Sequence, residues 1–366
     1  MSKKYDILVV GMDKITDKST YLYDVLADRG ISTLLYSTDK TGFYDPVNKK
    51  YKTTIKIAPG NVLVEILVFL KLLFTVKPKH VEFYRCRPIQ QFLYTFFCFI
   101  FRKEVSVVCI GELYYWEKYN ALRRWIDKRM FRYAHLLITT ELYMDEYLTK
   151  YNIASTDKTV FCHNRIPVSP DYNVERQGKK VLFINSYKPW RRLELLIKAA
   201  PMIKARVPEF EINFVGSTMG MGYMQHTLGY EQDLRDLAKD LGVEKNINFL
   251  PFTSDAKSFM EETSVFCLPA DLVFCNFSLI EAMERGVPAV VAGLDEGAHQ
   301  IVTDGIDGYV VDQVPEQFAD RIATLLENEE KRQRMGEAAR KKVLDKFDVT
   351  LTKEILYEGY KKFLWK

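Results

Sequence analysis

A chain of 366 residues is long enough for two domains of ordinary size, each with its own core. Hydrophobic residues make up 48% and charged ones 27%, which is globular composition and excludes a low-complexity arm. The net charge of +4 is uneven: residues 1–172 carry 26 Lys and Arg against 18 Asp and Glu, and residues 173–366 carry 26 against 30, so the first half suits an anionic partner.

The chain enters a strand at 7–10 (ILVV) after a short polar lead, which predicts no signal peptide and a cytoplasmic protein. A polar loop (MDKITDKS), a helix at 20–27 and a strand at 31–36 begin a βαβ unit. Alternation continues with helix 61–76, strand 80–84, helix 88–101, strand 105–110, helix 118–132, strand 135–139, helix 140–150 and strand 158–162. Continuous apolar strands such as DILVV and VSVVCI suit a parallel sheet covered on both faces. The two most apolar segments, 62–76 and 89–100, fall short of the roughly 20 residues needed to span a bilayer as a helix. Six cysteines form no CxxC pair and read as buried thiols, and five scattered histidines make no metal-ligand pattern.

Residues 165–178 (RIPVSPDYNVERQG) break the rhythm and read as a linker. A second alternating unit follows: strand 181–184, helix 191–203, strand 211–215, helix 231–241, strands 246–249, 264–268 and 288–291, and helices 254–261, 278–285 and 315–327. Two further helices, 329–343 and 349–364, close the chain. The predicted fold is α/β, with two doubly wound Rossmann-type domains facing across a cleft, and with ligands beyond the carboxyl ends of the strands.

From Lys180 onward the order of signals resembles the C-terminal half of retaining glycosyltransferases of family 4, which have the two-Rossmann-domain GT-B architecture. The segment INSYKPWRRLELLIKAA places Asn185 at the family's first glycine, Ser186 at its arginine, Arg191 at its lysine and Arg192 at its second glycine. Val215-Gly216 and NINFLPF match the following strands, and VFCLPADLVFCNFSLIEAMERGVPAVVA resembles the donor-binding block. Of the family's glutamate pair, Glu281 is the second. The first falls on Val273, and FCN replaces the intervening Gly-Phe-Gly.

The resemblance implies an acceptor-binding domain at 1–172, a nucleotide-sugar domain at 173–345 and a helix at 346–366 that crosses back to the first. It implies a metal-independent, hexosyltransferase-like enzyme that uses a nucleotide-sugar as substrate and needs no cofactor. Glu281 would accept hydrogen bonds from the ribose hydroxyls, unless Ser278 and Glu281 merely form a capping box. The amides of Asn276, Phe277, Ser278 and Leu279 would face the diphosphate at a helix start. Arg191, at the family's lysine position, would stabilise charge on the leaving phosphate; Lys188, which holds no family position, is a second candidate, and both could instead be plain surface charges. Asn185, Ser186, Gly216, Phe252 and Asp271 complete the expected donor site; either Asp271 substitutes for the missing glutamate, or the donor sugar is unusual, or catalysis is degraded, and Gly220 and Gly222 could let backbone approach the donor or simply belong to a flexible loop.

In the first domain, Glu112 ends an apolar strand and could orient an acceptor hydroxyl or take its proton. Tyr114, Tyr115 and Trp116 would form a platform for a sugar, and Glu82 has a similar strand-end position. The expected acceptor is a saccharide or a lipid-linked acceptor. Segments 62–76 and 92–103, with Lys71, Lys77, Lys79, Arg85, Arg87, Arg102 and Lys103, could dock on an anionic membrane, or could simply cover the sheet. No nucleic-acid-binding module is recognisable. Val273 and Ser186 leave open a relative that binds a nucleotide without transfer, and a sugar-nucleotide epimerase is a further alternative.

Overall fold

A computed structural model describes residues 4–12, 15, 17–38, 52–84, 88–109, 112–170, 178–216, 229–253 and 255–365. Arg85, Cys86, Arg87, Gly220 and Gly222 lie outside the described residues. The chain divides into two compact units, Met1–Pro167 with Val349–Lys366, and Val168–Asp348.

The first unit holds strands β1 (Ile7–Val10), β2 (Thr33–Ser37), β3 (Thr54–Ile57), β4 (His80–Phe83), β5 (Glu104–Cys109), β6 (Leu136–Thr139) and β7 (Thr159–Phe161). They form one parallel sheet in the order β3-β2-β1-β4-β5-β6-β7. Parallel neighbours need crossovers, supplied here by helices α1 (Asp17–Ala27), α2 (Val62–Thr75), α3 (Pro88–Ile100), α4 (Ala121–Tyr133) and α5 (Tyr143–Lys150). Every residue of β1 is fully buried, as an apolar strand covered on both faces requires. Strand β3 went unassigned in the sequence because it is a short, half-exposed edge strand carrying Lys56, with little apolar signal.

The second unit runs β8 (Lys180–Ile184), α6 (Leu193–Arg206), β9 (Glu211–Val215), α7 (Tyr230–Asp240), β10 (Ile247–Leu250), α8 (Ala256–Glu261), β11 (Val265–Leu268), α9 (Phe277–Glu284), β12 (Ala289–Ala292), α10 (Glu296–Ile301), β13 (Gly308–Val311), α11 (Pro315–Glu327) and α12 (Glu329–Lys346). Its strands are again parallel, in the order β10-β9-β8-β11-β12-β13. Strand order reverses between β1 and β4 in one sheet and between β8 and β11 in the other. At such a reversal the flanking crossovers diverge and leave a crevice beyond the strand ends.

The last helix, α13 (Val349–Phe363), returns to the first unit, where Leu356, Tyr360 and Leu364 join a core with Ile7, Val9, Tyr23 and Leu26. Both unit boundaries lie a few residues from the expected 172/173 and 345/346; residues 171–177 are outside the described set. Hydrogen bonds explain the shift. The Ser169 N–H donates to Glu284 Oε1 (3.0 Å) and its carbonyl accepts from Arg340 Nη2 (2.8 Å), which ties Ser169 to α9 and α12. The Val349 N–H donates to the Ile166 carbonyl, so α13 starts within the first unit.

Candidate active site

The most complete arrangement of expected site residues lies at the carboxyl edge of the second sheet. Strand β8 runs into Asn185, whose Oδ1 accepts the Ser186 N–H at 2.9 Å and so turns the chain out of the sheet. Tyr187 is buried in that turn and its hydroxyl donates to the Phe214 carbonyl (2.6 Å), with the Leu250 carbonyl also within reach (3.1 Å), pinning the turn over the ends of β9 and β10. Gly216 makes this packing feasible: a Cβ there would lie 2.0 Å from the Asn185 carbonyl oxygen. The glycine expected to serve a donor thus has a steric duty of its own.

Beyond the turn, a 3₁₀ segment (Pro189–Arg191) leads into α6. The Lys188 ammonium sits 5.1 Å from the centre of the Trp190 ring, a cation–π distance. Arg191 is half-buried at the end of this segment. Arg192, at the second glycine of the resemblance, adopts φ +54° and ψ +39°, a left-handed conformation that suits glycine. Its Nε donates to Asp271 Oδ1 at 2.7 Å, and Gln313 Nε2 reaches the same oxygen at 3.2 Å. The Asp271 N–H in turn donates to the Trp190 carbonyl at 2.9 Å. The loop after β11 is therefore laced to the loop after β8, across the point where strand order reverses.

The Val273 side chain is buried and brings no carboxylate to the site. Phe274, at the first glycine of the family's Gly-Phe-Gly, has φ +50°. The loop thus keeps a glycine-like backbone without the glycine. Asp295, after β12, holds it: Oδ1 accepts from the Val273 N–H (3.0 Å) and Oδ2 from the Phe274 N–H (2.8 Å). Gly297 allows the approach, since a Cβ there would lie 2.6 Å from Phe274 Cα.

Helix α9 then opens on Asn276, whose Oδ1 accepts the Leu279 N–H at 3.2 Å. Asn276 is the cap, so Ser278 lies inside the first turn and the capping box of Ser278 with Glu281 is not formed. An extended Asn two residues earlier outcompetes it. The expected anion site on four amides is also reduced. The Asn276 N–H goes to the Phe274 carbonyl and that of Leu279 to the cap. Glu281 lies one turn into the helix and is half-buried. Phe252 follows β10 and is 59% exposed. Asp295, Gln313 and the pairing of Arg192 with Asp271 have no signal in the sequence, because they act through turns brought together only by the sheet.

In the first unit, the expected residues whose side chains are described do not assemble into one site. Glu82 lies within β4, fully buried, and accepts from Tyr23 (2.6 Å), Ser106 (2.8 Å) and Tyr360 (2.8 Å). Its assignment to an acceptor site is corrected: α1 and α13 cover it, and three hydroxyls take up its oxygens. Burial would raise this carboxyl, but the adjacent His80 and the hydroxyls of Tyr23 and Tyr360 bring it below the usual carboxylate range. His80 Nε2 lies 4.0 Å away, too far for a direct hydrogen bond, and His80 Nδ1 accepts from Trp365 Nε1 at 3.0 Å.

Trp116 is also corrected. It is 5% exposed and packs near Tyr119 and Tyr151, so it offers no open ring face. Tyr114 and Tyr115 remain partly exposed, edge to face at 5.3 Å. Glu112 opens the 3₁₀ segment Glu112–Lys118, and its side chain lies outside the described residues. Among the described residues, no group of three or more His, Cys, Asp or Glu is placed to hold a metal ion, and no helix is long and apolar enough to cross a membrane.

Residues 167–342, almost the whole second unit, match the family model described as Glycosyl transferases group 1. The second unit is a group 1 glycosyl transferase domain. An uncharacterized glycosyltransferase of Haemophilus influenzae is 26% identical over 165 residues, 45% of this chain and 44% of that protein. A D-inositol 3-phosphate glycosyltransferase of Corynebacterium glutamicum is 33% identical over 171 residues, 44% of this chain and 38% of that one. These matches span less than half of each curated relative. HepE of Anabaena, solved in complex with UDP-glucose, superposes with a TM-score of 0.78 at 16% identity, over 97% of this chain and 99% of that one. The glycosyl transferase domain thus belongs to a chain with the two-Rossmann-domain GT-B fold expected from the sequence.

Proposed function

We propose that the chain transfers a sugar from a nucleotide-sugar to a saccharide or lipid-linked acceptor, with retention of anomeric configuration, in the synthesis of a cell-surface polysaccharide or glycolipid. The observation that carries the reading is the convergence, inside the matched domain, of the turn 185–192 and the loop that leads from β11 into α9, at the point of strand-order reversal. That edge supplies the chemistry the transfer requires. Arg191 and Lys188 offset the negative charge that grows on the leaving diphosphate as the bond to the sugar breaks. Glu281 accepts from the ribose hydroxyls, and the exposed ring of Phe252 offers a face to the base. The acceptor hydroxyl attacks on the face the diphosphate leaves, and a phosphate oxygen receives its proton. Tyr114, Tyr115 and Glu112 belong to acceptor recognition in this reading, and the first unit works at the inner face of an anionic membrane.

Thermal stabilisation of the purified chain by UDP and by UMP tests the diphosphate site, with UDP-glucose as the first donor because HepE was crystallised with it. UDP should raise the melting temperature more than UMP at equal concentration; equal shifts would remove Arg191 and Lys188 from their proposed roles. A second reading, nucleotide binding without transfer, is favoured by the buried Val273 where the resemblance expects a carboxylate. Donor turnover separates the two, since a binding-only protein is stabilised by UDP and leaves UDP-glucose intact.

A further inference from the structure

Helices α2, α3 and α4 of the first unit share an unusual distribution of side chains. On α3, Ile89, Phe92, Phe96 and Phe99 recur every three or four residues on the solvent side, with Phe96 46% and Phe99 64% exposed. On α4, Trp125 is 48% exposed, its ring 5.7 Å from that of Phe92. An open groove of about 590 Å3 runs between the two helices, lined by these rings, Met130 and Arg129. That volume lies within the range of about 300–1,000 Å3 typical of small-molecule sites.

Charge is sorted as sharply as hydrophobicity. The three helices carry two acids, and both are buried. Glu65 of α2 accepts from Gln90, and Asp127 of α4 is bound by Arg123 (2.6 Å) and Gln91 (2.8 Å). Lys71, Arg124 and Arg129 are exposed. The Arg129 guanidinium stands 5.5 Å from the centre of the Trp125 ring and has no ion-pair partner among the described residues. Exposed aromatic rings flanked by cations, with every acid turned inward, match an apolar chain that ends in an anionic head.

We infer that the groove between α3 and α4 takes one hydrocarbon chain of an anionic, phosphate-bearing membrane lipid. The chain lies along Phe92, Phe96 and Trp125, and its headgroup reaches Arg129. This narrows to one site the proposal that the first unit works at an anionic membrane, and it rests on that reading.

The test uses two probes. Phosphatidylglycerol vesicles with brominated acyl chains should quench tryptophan fluorescence in the full chain, and Trp125→Phe should lose most of that quenching while still binding the vesicles. Dioctanoyl phosphatidate, below its micelle concentration, should bind without any vesicle, with affinity reduced about five- to tenfold by Arg129→Glu and also reduced by Phe96→Ser. Both substitutions are at exposed positions, and a thermal melt confirms that the fold is kept. Salt-sensitive vesicle binding without Trp125 quenching or short-chain binding would overturn the groove and leave membrane docking standing. Short-chain binding with vesicles ignored would support the groove and remove the membrane reading. Failure of both probes, or dimerisation abolished by Phe96→Ser, would overturn the inference, the latter by assigning the face to a second copy.

Discussion

Arg192 and Phe274 each occupy a left-handed backbone position where the resemblance expects glycine. Such a conformation costs a non-glycine residue roughly 1–2 kcal/mol, so the surroundings must hold it. The Asp271 carboxylate does so for Arg192, and the Asp295 carboxylate for the loop at Phe274. In the sequence, FCN for Gly-Phe-Gly reads as loss of the motif; in the structure the backbone shape persists while the side chains differ. Glu281 is the residue on which the donor reading depends most. Because Asn276 caps α9, Glu281→Gln should leave thermal stability within about 0.5 kcal/mol. Donor affinity should fall by about 1.5–3 kcal/mol, since an amide offers donors where the ribose hydroxyls need an ionised acceptor. Calorimetric titration with UDP beside a thermal melt checks both halves. Unchanged affinity would remove Glu281 from the ribose.

At the scale of elements, the loops after β8, β11, β12 and β13 form one assembly through Arg192, Asp271, Asp295 and Gln313. Asp295→Asn tests it. The amide supplies a single acceptor oxygen, so either the Val273 or the Phe274 N–H loses its partner. We expect about 1–3 kcal/mol of destabilisation and weaker binding of UDP, read from a urea transition and a titration. A variant as stable as the parent would show that the loop holds itself. Alternating apolar strands and amphipathic helices made the two sheets legible, because a parallel sheet writes its burial into consecutive residues. Cross-loop partners were not legible. Asp295 lies 21 residues beyond Phe274 with a helix and a strand between them, and no local pattern says which turns meet over a sheet edge. Glu82 misled for a related reason. Its place in an apolar strand resembles an active-edge carboxylate, yet its cover includes Tyr360, 278 residues away in sequence.

For the molecule as a whole, Glu82 links α1, β4, β5 and α13. Its carboxyl is held below its unfolded value, so the ionised form stabilises the fold at pH above about 4.3. That contribution fades as pH falls through the lowered folded value, and it is absent once the group is protonated in folded and unfolded chains alike. Glu82→Gln should therefore lower stability at pH 7 by about 2–3 kcal/mol and flatten the acid end of the stability profile. Thermal melts from pH 7 down into the acid range below about 4.3, the usual carboxylate value, would show this. Parallel profiles for the two proteins would mean that Glu82 is not the acid-sensitive group.

The return of α13 to the first unit also sets an order of events during synthesis. Residues up to Pro167 emerge from the ribosome first, but their sheet lacks Leu356, Tyr360 and Trp365 until Val168–Asp348 has been made. At translation rates of ~5–20 residues per second that delay is roughly 10–40 s. Throughout it, the nascent first unit exposes the apolar surface that α13 will cover and carries Glu82 with an incomplete set of donors. The second unit is continuous in sequence and can complete its own core before its elder neighbour. The half of the molecule made first is thus the half finished last, and it is the half with a claim on chaperones.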